Sequence, residues 1–162
     1  MRERVTVRVL LFNPVGHVLL MKGRFPHRPA GPGAWFTVGG GANPGEAVEA
    51  CAVREVAEET GFTDVRLGPV VWTRQAVGYV TGDERVMFVE TYIVAHCAGG
   101  EPSRGGWEVH EHDLVDDIRW WSLEEIASTT EMIFPERFAA LLPAIACGHY
   151  PDPPLDITVV KT

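Results

Sequence analysis

Three glutamates crowd one short segment: Glu55, Glu58 and Glu59. The segment 45–60 has no Pro or Gly after its first residue, is rich in good helix formers, and is followed by Gly61 as a C-terminal cap. On a helix, residues three and four positions apart are neighbours, so the three carboxylates share one side of the last turns. Ala50, Val53, Val56 and Ala57 fall on the other side and are expected to form its packing face. Like charges at these spacings cost a few tenths of a kcal/mol per pair. They also stand at the helix end where the backbone dipole disfavours anions. Carboxylates gathered against both penalties suit a hard divalent cation, Mg²⁺ with Mn²⁺ as a substitute. The plain alternative is a solvated acidic face.

Several elements must position these acids. Residues 5–12 are rich in β-branched side chains and read as a strand; 13–16 are turn chemistry; 17–21 read as a second strand, paired with the first as a hairpin. Residues 22–33 form a long loop with three Pro and three basic residues, and 34–38 a short strand running into Gly39, Gly40 and Gly41. Further strands are expected at 65–74, 85–96 and 118–121, with turn residues at 78–83. Ser122 with Glu125 is a capping-box pattern. A second apolar helix is expected over 134–147 despite Pro143, and the Pro-containing tail 150–162 should lie extended along the body. The mixture indicates an α/β or α+β domain.

Composition narrows the function. The chain has 162 residues, 46% apolar, with 22 acidic against 14 Lys and Arg, a net charge of −8. Such a surface repels nucleic-acid backbones and anionic membranes, so neither is an expected partner. An anionic small molecule stays possible, because bound cations invert the local sign. Cys51, Cys97 and Cys147 form no metal or disulfide spacing and read as three small buried hydrophobes. With no convincing signal peptide and no long apolar run, a cytoplasmic protein is expected.

The surrounding residues sharpen the reading. Gly40, five residues, Glu46, seven residues, Arg54-Glu55-Val56, one residue, Glu58-Glu59, one residue, Gly61-Phe62 matches the Nudix box at every fixed position. Trp35-Phe36-Thr37-Val38-Gly39-Gly40-Gly41 is similar to the family's lead-in, with Val38 where many members carry Pro. Arg119-Trp120-Trp121, followed by Ser122-Leu123-Glu124-Glu125, looks like its late strand and helix. The chain resembles a MutT-like Nudix hydrolase over most of residues 1–130, and the single domain is expected to span 1–162 with the box at 40–62.

The resemblance implies an α/β/α sandwich with a mixed sheet and a loop–helix–loop motif, hydrolysing a nucleoside diphosphate linked to another moiety. Glu55, Glu58 and Glu59 would bind the cations, Glu46 would be an auxiliary metal ligand, and Gly40 could lend a carbonyl. Arg54 would orient Glu55. Gly39 and Gly41 would admit the backbone close to phosphate, and Arg24 and Arg28 would bind it, with Lys22 an option. The general base would be a box glutamate or one of Glu108, Glu111 and Asp113, with Glu111 favoured and His110 and His112 beside it. Phe25, Trp35, Tyr79 and Trp107 are possible base-stacking rings, whereas Trp72, Trp120 and Trp121 read as core. The family also makes a homodimer an option. A catalytically silent nucleotide-binding module and a diphosphate isomerase are the rival readings; the first would usually lack box acids, and the second would need a dedicated Cys–Glu pair.

Overall fold

The computed structural model describes residues 1–81, 83–103 and 114–160. Seven strands form one mixed sheet: β1 (Glu3–Phe12), β2 (Val18–Gly23), β3 (Ala34–Gly41), β4 (Arg66–Tyr79), β5 (Arg85–His96), β6 (Val115–Trp121) and β7 (Leu155–Asp156). Their order is β6-β2-β3-β1-β5-β4-β7. β1 runs parallel to β5 and antiparallel to β3, so it sits at the centre of the sheet. The expected hairpin of the first two strands is not found. β1 and β2 share only the Phe12–Val18 pair, and β3 inserts between them. The turn at 13–16 reverses the chain, but pairing is decided by which apolar faces meet, which is a non-local matter.

Helices cover both faces. α1 (Val48–Thr60) lies on one; α2 (Leu123–Ser128) and α3 (Phe138–Ala146) lie on the other. Side chains alternate along a strand, so β1 serves both layers. Val7, Val9 and Leu11 pack with Cys51, Ala52 and Val56 of α1. Leu10 and Phe12 pack with Trp72, Trp121, Ile126, Phe138 and Leu142 on the far side. Burying a side chain of this size contributes about 1.5–3 kcal/mol.

The structure corrects the packing face of α1. Cys51, Ala52, Val56 and Thr60 are buried, while Ala50 is exposed and Val53 is 43% exposed. The helix is turned so that Glu55 and Glu59 face the end of β3. Cys147 is exposed, so only Cys51 and Cys97 behave as buried hydrophobes. β4 runs on to Tyr79, five residues past its expected end, after register shifts around Gly68-Pro69. α1 begins at Val48, after a turn at 44–45, and Gly61 closes it at φ +80°. The second apolar helix is shorter than expected, and the Ser122–Glu125 capping box forms. Among the described residues no helix is long and apolar enough to cross a membrane.

Candidate active site

The site is built where β3 ends beneath α1. Gly39 pairs with Arg8 of β1 and holds φ +135°; a Cβ there would strike the Val7 carbonyl oxygen. Its N–H donates to Glu59 Oε1 at 2.7 Å. A Cβ on Gly40 would lie 2.7 Å from the Glu55 carboxylate. These glycines are therefore required by the close approach of the β3 backbone to β1 and to the helix acids.

Arg54 gathers the remaining charges. Its Nε and Nη2 donate to the two Glu46 oxygens, each at 2.8 Å. Nη1 donates to Glu55 Oε1 at 2.9 Å and reaches Glu58 at 3.3 Å, and Nη2 also donates to the Gly41 carbonyl at 3.0 Å. The pairing with Glu46 is bidentate, the geometry in which a guanidinium binds a carboxylate best. That guanidinium first, and the Asn43 N–H second, hold the Glu46 carboxyl down at about 2. Glu46 in turn raises Arg54 above its ordinary value. Cys51, beneath this cluster, is pushed up to about 11 by burial and then by the Glu46 charge, so it is a neutral thiol.

The donor set suits a hard cation. Glu58 is the open member, its side chain 49% exposed against 13% for Glu55. Among the described residues no three carboxylate, imidazole or thiol groups converge on one point. Mg²⁺ does not need such a cage, because it keeps several waters and binds through one or two carboxylates plus substrate phosphates. Glu55, Glu58 and Glu59 fit that requirement, while both Glu46 oxygens are committed to Arg54.

On the face of β1 that carries Arg8 opens a cavity of about 610 Å³, with none of the box acids among its described lining residues. Rings of Phe25, Phe36, Tyr79, Phe88 and Phe134 line it, and His27 stacks on Tyr79 with centroids 3.9 Å apart. Arg8, Arg74, Glu90 and Glu136 make its polar wall. Arg74 donates to Glu90 at 2.6 Å and to Glu136 at 3.1 Å, and the Tyr92 hydroxyl donates to Glu90 at 3.2 Å. Burial opposes the charges of Arg8 and Arg74, but Glu90, with Tyr92 and a second carboxylate (Glu59 for Arg8, Glu136 for Arg74), more than offsets it, and both stand above their ordinary value. Burial, then Glu90, pushes the Tyr92 phenol up, which keeps it a donor. Arg8 connects the two halves: it donates to the Thr37 carbonyl at 3.2 Å, pairs with Glu90 at 3.4 Å, and lies within the field of Glu59.

Residues 2–142 match the NUDIX domain family. The chain belongs to the Nudix family. An RNA pyrophosphohydrolase of Caulobacter vibrioides is 36% identical to this Nudix hydrolase over 148 residues, covering 83% of this chain and 78% of that one. The nucleoside triphosphatase NudI of Salmonella agona is 30% identical over 131 residues, covering 78% and 87%. Among solved structures, the MutT protein of Methanosarcina mazei superposes with a TM-score of 0.62 at 22% identity, covering 91% of this chain and 95% of that one. An ADP-ribose pyrophosphatase of Streptococcus suis gives 0.59 at 17%, covering 96% and 98%. The mixed-sheet Nudix fold and the enzyme class, a Nudix pyrophosphohydrolase, follow from the family.

The other sequence-predicted residues are dispersed. Arg24 lines the cavity, donates to the Pro29 carbonyl at 2.8 Å and pairs with Asp116 at 3.3 Å. Arg28 is exposed and lies outside the cavity lining, and Lys22 pairs with Glu131 at 2.8 Å. Phe25 and Tyr79 line the cavity. Trp35 does not: it is 2% exposed in the core, edge-on to Trp121 and beneath the Arg119 guanidinium. Trp72 and Trp121 are core, whereas Trp120 is half-buried, stacking on Phe62 and donating to the Gly100 carbonyl. Trp107, Glu108, His110, Glu111, His112 and Asp113 lie outside the described residues. Sequence reasoning missed the Arg8–Glu90–Arg74–Glu136 chain. Its signal was present: Arg8 and Glu90 are charges at inward positions of apolar strands.

Proposed function

We propose that this Nudix hydrolase cleaves the phosphoanhydride of a nucleoside diphosphate derivative. The diphosphate would sit at the acidic end of α1 and the nucleoside in the adjoining cavity. The observation that carries this reading is the continuity of the two through Arg8. Of the charged groups that line the cavity, Arg8 and Arg74 are matched by Glu90 and Glu136, and Arg24 is matched by Asp116 just outside it, so the wall is charge-balanced. It offers donors and acceptors without the positive excess that a phosphate needs, and with the aromatic walls it suits a planar, polar, uncharged ring. Buried ion pairs often stabilise no better than apolar residues of the same size, which favours a ligand-directed reason for keeping four charges there.

Divalent cations bound at Glu55, Glu58 and Glu59 would neutralise phosphoryl oxygens and acidify the attacking water. The chain's own part is positional. Arg54 fixes Glu55 and Glu58, the Gly39 N–H fixes Glu59, and a carboxylate takes the water's proton, with Glu111 and Glu58 the two groups to compare. Relatives named for RNA and for nucleoside triphosphates put those polyphosphates at the head of a substrate panel. The net charge of −8 favours the mononucleotides. Released product from nucleoside triphosphates, sugar nucleotides, ADP-ribose and dinucleoside polyphosphates, each with Mg²⁺ or Mn²⁺, tests the reading. Glu58→Gln and Glu59→Gln should abolish turnover with the circular dichroism unchanged; wild-type rates in either would overturn the metal assignment.

A further inference from the structure

The stretch of chain that the family accounts for stops at residue 142, yet the cavity wall does not. Thr158 and Val159 line it, contributed by a strap that continues β7 along the edge of β4. We propose that this strap is a specificity-determining wall: Val159, positioned by Thr158, sets the width open to the base and so selects between purine and pyrimidine nucleotides. The inference rests on the nucleoside occupying the cavity.

Three observations support it. The strap is anchored well enough to act as a wall. Leu155 and Asp156 pair with Trp72 and Thr73, and Ile157 is buried to 1% in the core that contains Trp72 and Phe138. Beyond Ile157 it is still held: the Ile157 N–H donates to the Thr73 carbonyl at 2.8 Å, and the Gln75 N–H to Thr158 Oγ1 at 2.9 Å. Asp156 caps the bend by accepting the Thr158 N–H at 3.0 Å.

Secondly, Val159 is not spent on packing. It is 39% exposed and belongs to neither core, as is true of Val77, another lining residue, at 45%. Apolar side chains that folding leaves open along a cavity are free to be covered by a ring. Thirdly, the strap departs from the sheet beside Arg74 and Gln75, next to the polar wall, and the described lining that Val159 joins includes none of Glu55, Glu58 and Glu59. Changing the bulk of Val159 should therefore act on binding and leave the hydrolytic step alone.

The test is steady-state kinetics of the full chain with purine and pyrimidine nucleoside triphosphates and Mg²⁺, on wild type, Val159→Trp and Val159→Ala, with a melting curve for each. Val159→Trp should raise the purine KM about tenfold, the range in which one added group in a pocket discriminates, and the pyrimidine KM much less. Its kcat and melting temperature should hold, and Val159→Ala should shift the purine-to-pyrimidine KM ratio the opposite way. An unchanged ratio in both variants, or a fall in kcat and melting temperature for both nucleotides alike, would overturn the proposal. Wild-type protein that cleaves neither nucleotide nor any nucleoside diphosphate derivative would overturn the underlying reading, and the strap's role with it.

Discussion

Arg54 is the residue on which the box depends, because it converts a repulsive cluster into an ordered one. Without it, Glu55 and Glu58 on the helix and Glu46 on the loop before it would stand together as like charges. With it, each has a defined orientation before any cation arrives. The acids themselves were legible from spacing on a helix. Their division of labour was not, since Glu46 lies eight residues before Arg54 and meets it only because the chain turns at 44–45. Acid pH should expose that pairing. Glu46 titrates at about 2 in the folded chain against an ordinary 4.5. A lowered carboxyl contributes stability above the unfolded value and loses it as pH falls through the folded one. The stability gap between wild type and Glu46→Gln should therefore be full above pH 4.5 and close between 4.5 and 2. Melting curves across that window measure it, and a gap that stays constant would contradict the pairing.

The glycine run at the end of β3 shows what an element contributes beyond its residues. Gly39 and Gly40 are adjacent, but a methyl on each meets a different obstacle. At Gly39 it strikes the backbone of β1, and φ +135° is itself hostile to a side chain. At Gly40 it meets only the end of the Glu55 side chain, which can swing away. Gly39→Ala should cost about 2–4 kcal/mol in denaturant unfolding. Gly40→Ala should fold at nearly wild-type stability and lose activity through the displaced Glu55, read as weaker Mn²⁺ dependence of the rate. The sequence announced this close approach through its three glycines, and it announced most strands through β-branched runs. It misled wherever partners are remote. The 13–16 turn suggested a hairpin that β3 interrupts, and the expected apolar side of α1 was only partly right: Val56 is buried but Ala50 and Val53 face solvent, because small Cys51 and Ala52 let the helix lie close to the sheet on their side.

At the scale of the molecule, the sheet separates two packing layers. The acids ride on α1, while α2 and α3 close the opposite face. Leu142, fully buried on α3, belongs to the second layer. Leu142→Ala should cost about 2–5 kcal/mol of stability, measured by chemical denaturation, and leave kcat and KM at moderate temperature unchanged. A loss of kcat before any unfolding would mean that the layers communicate. The alternation of layers was readable from the sequence; the cavity between strands and strap was not, because its described lining comes from seven separate stretches of chain. β1 joins all of this. Its odd positions from Val7 to Leu11 face α1, and the even ones supply Arg8 and Leu10 to the other side. Loss of one residue there would invert both sets at once, driving a guanidinium against the helix and valines toward the cavity. This central ribbon is therefore open to exchange of side chains and closed to insertion or deletion, so a change of length should be tolerated only in the loops that flank it.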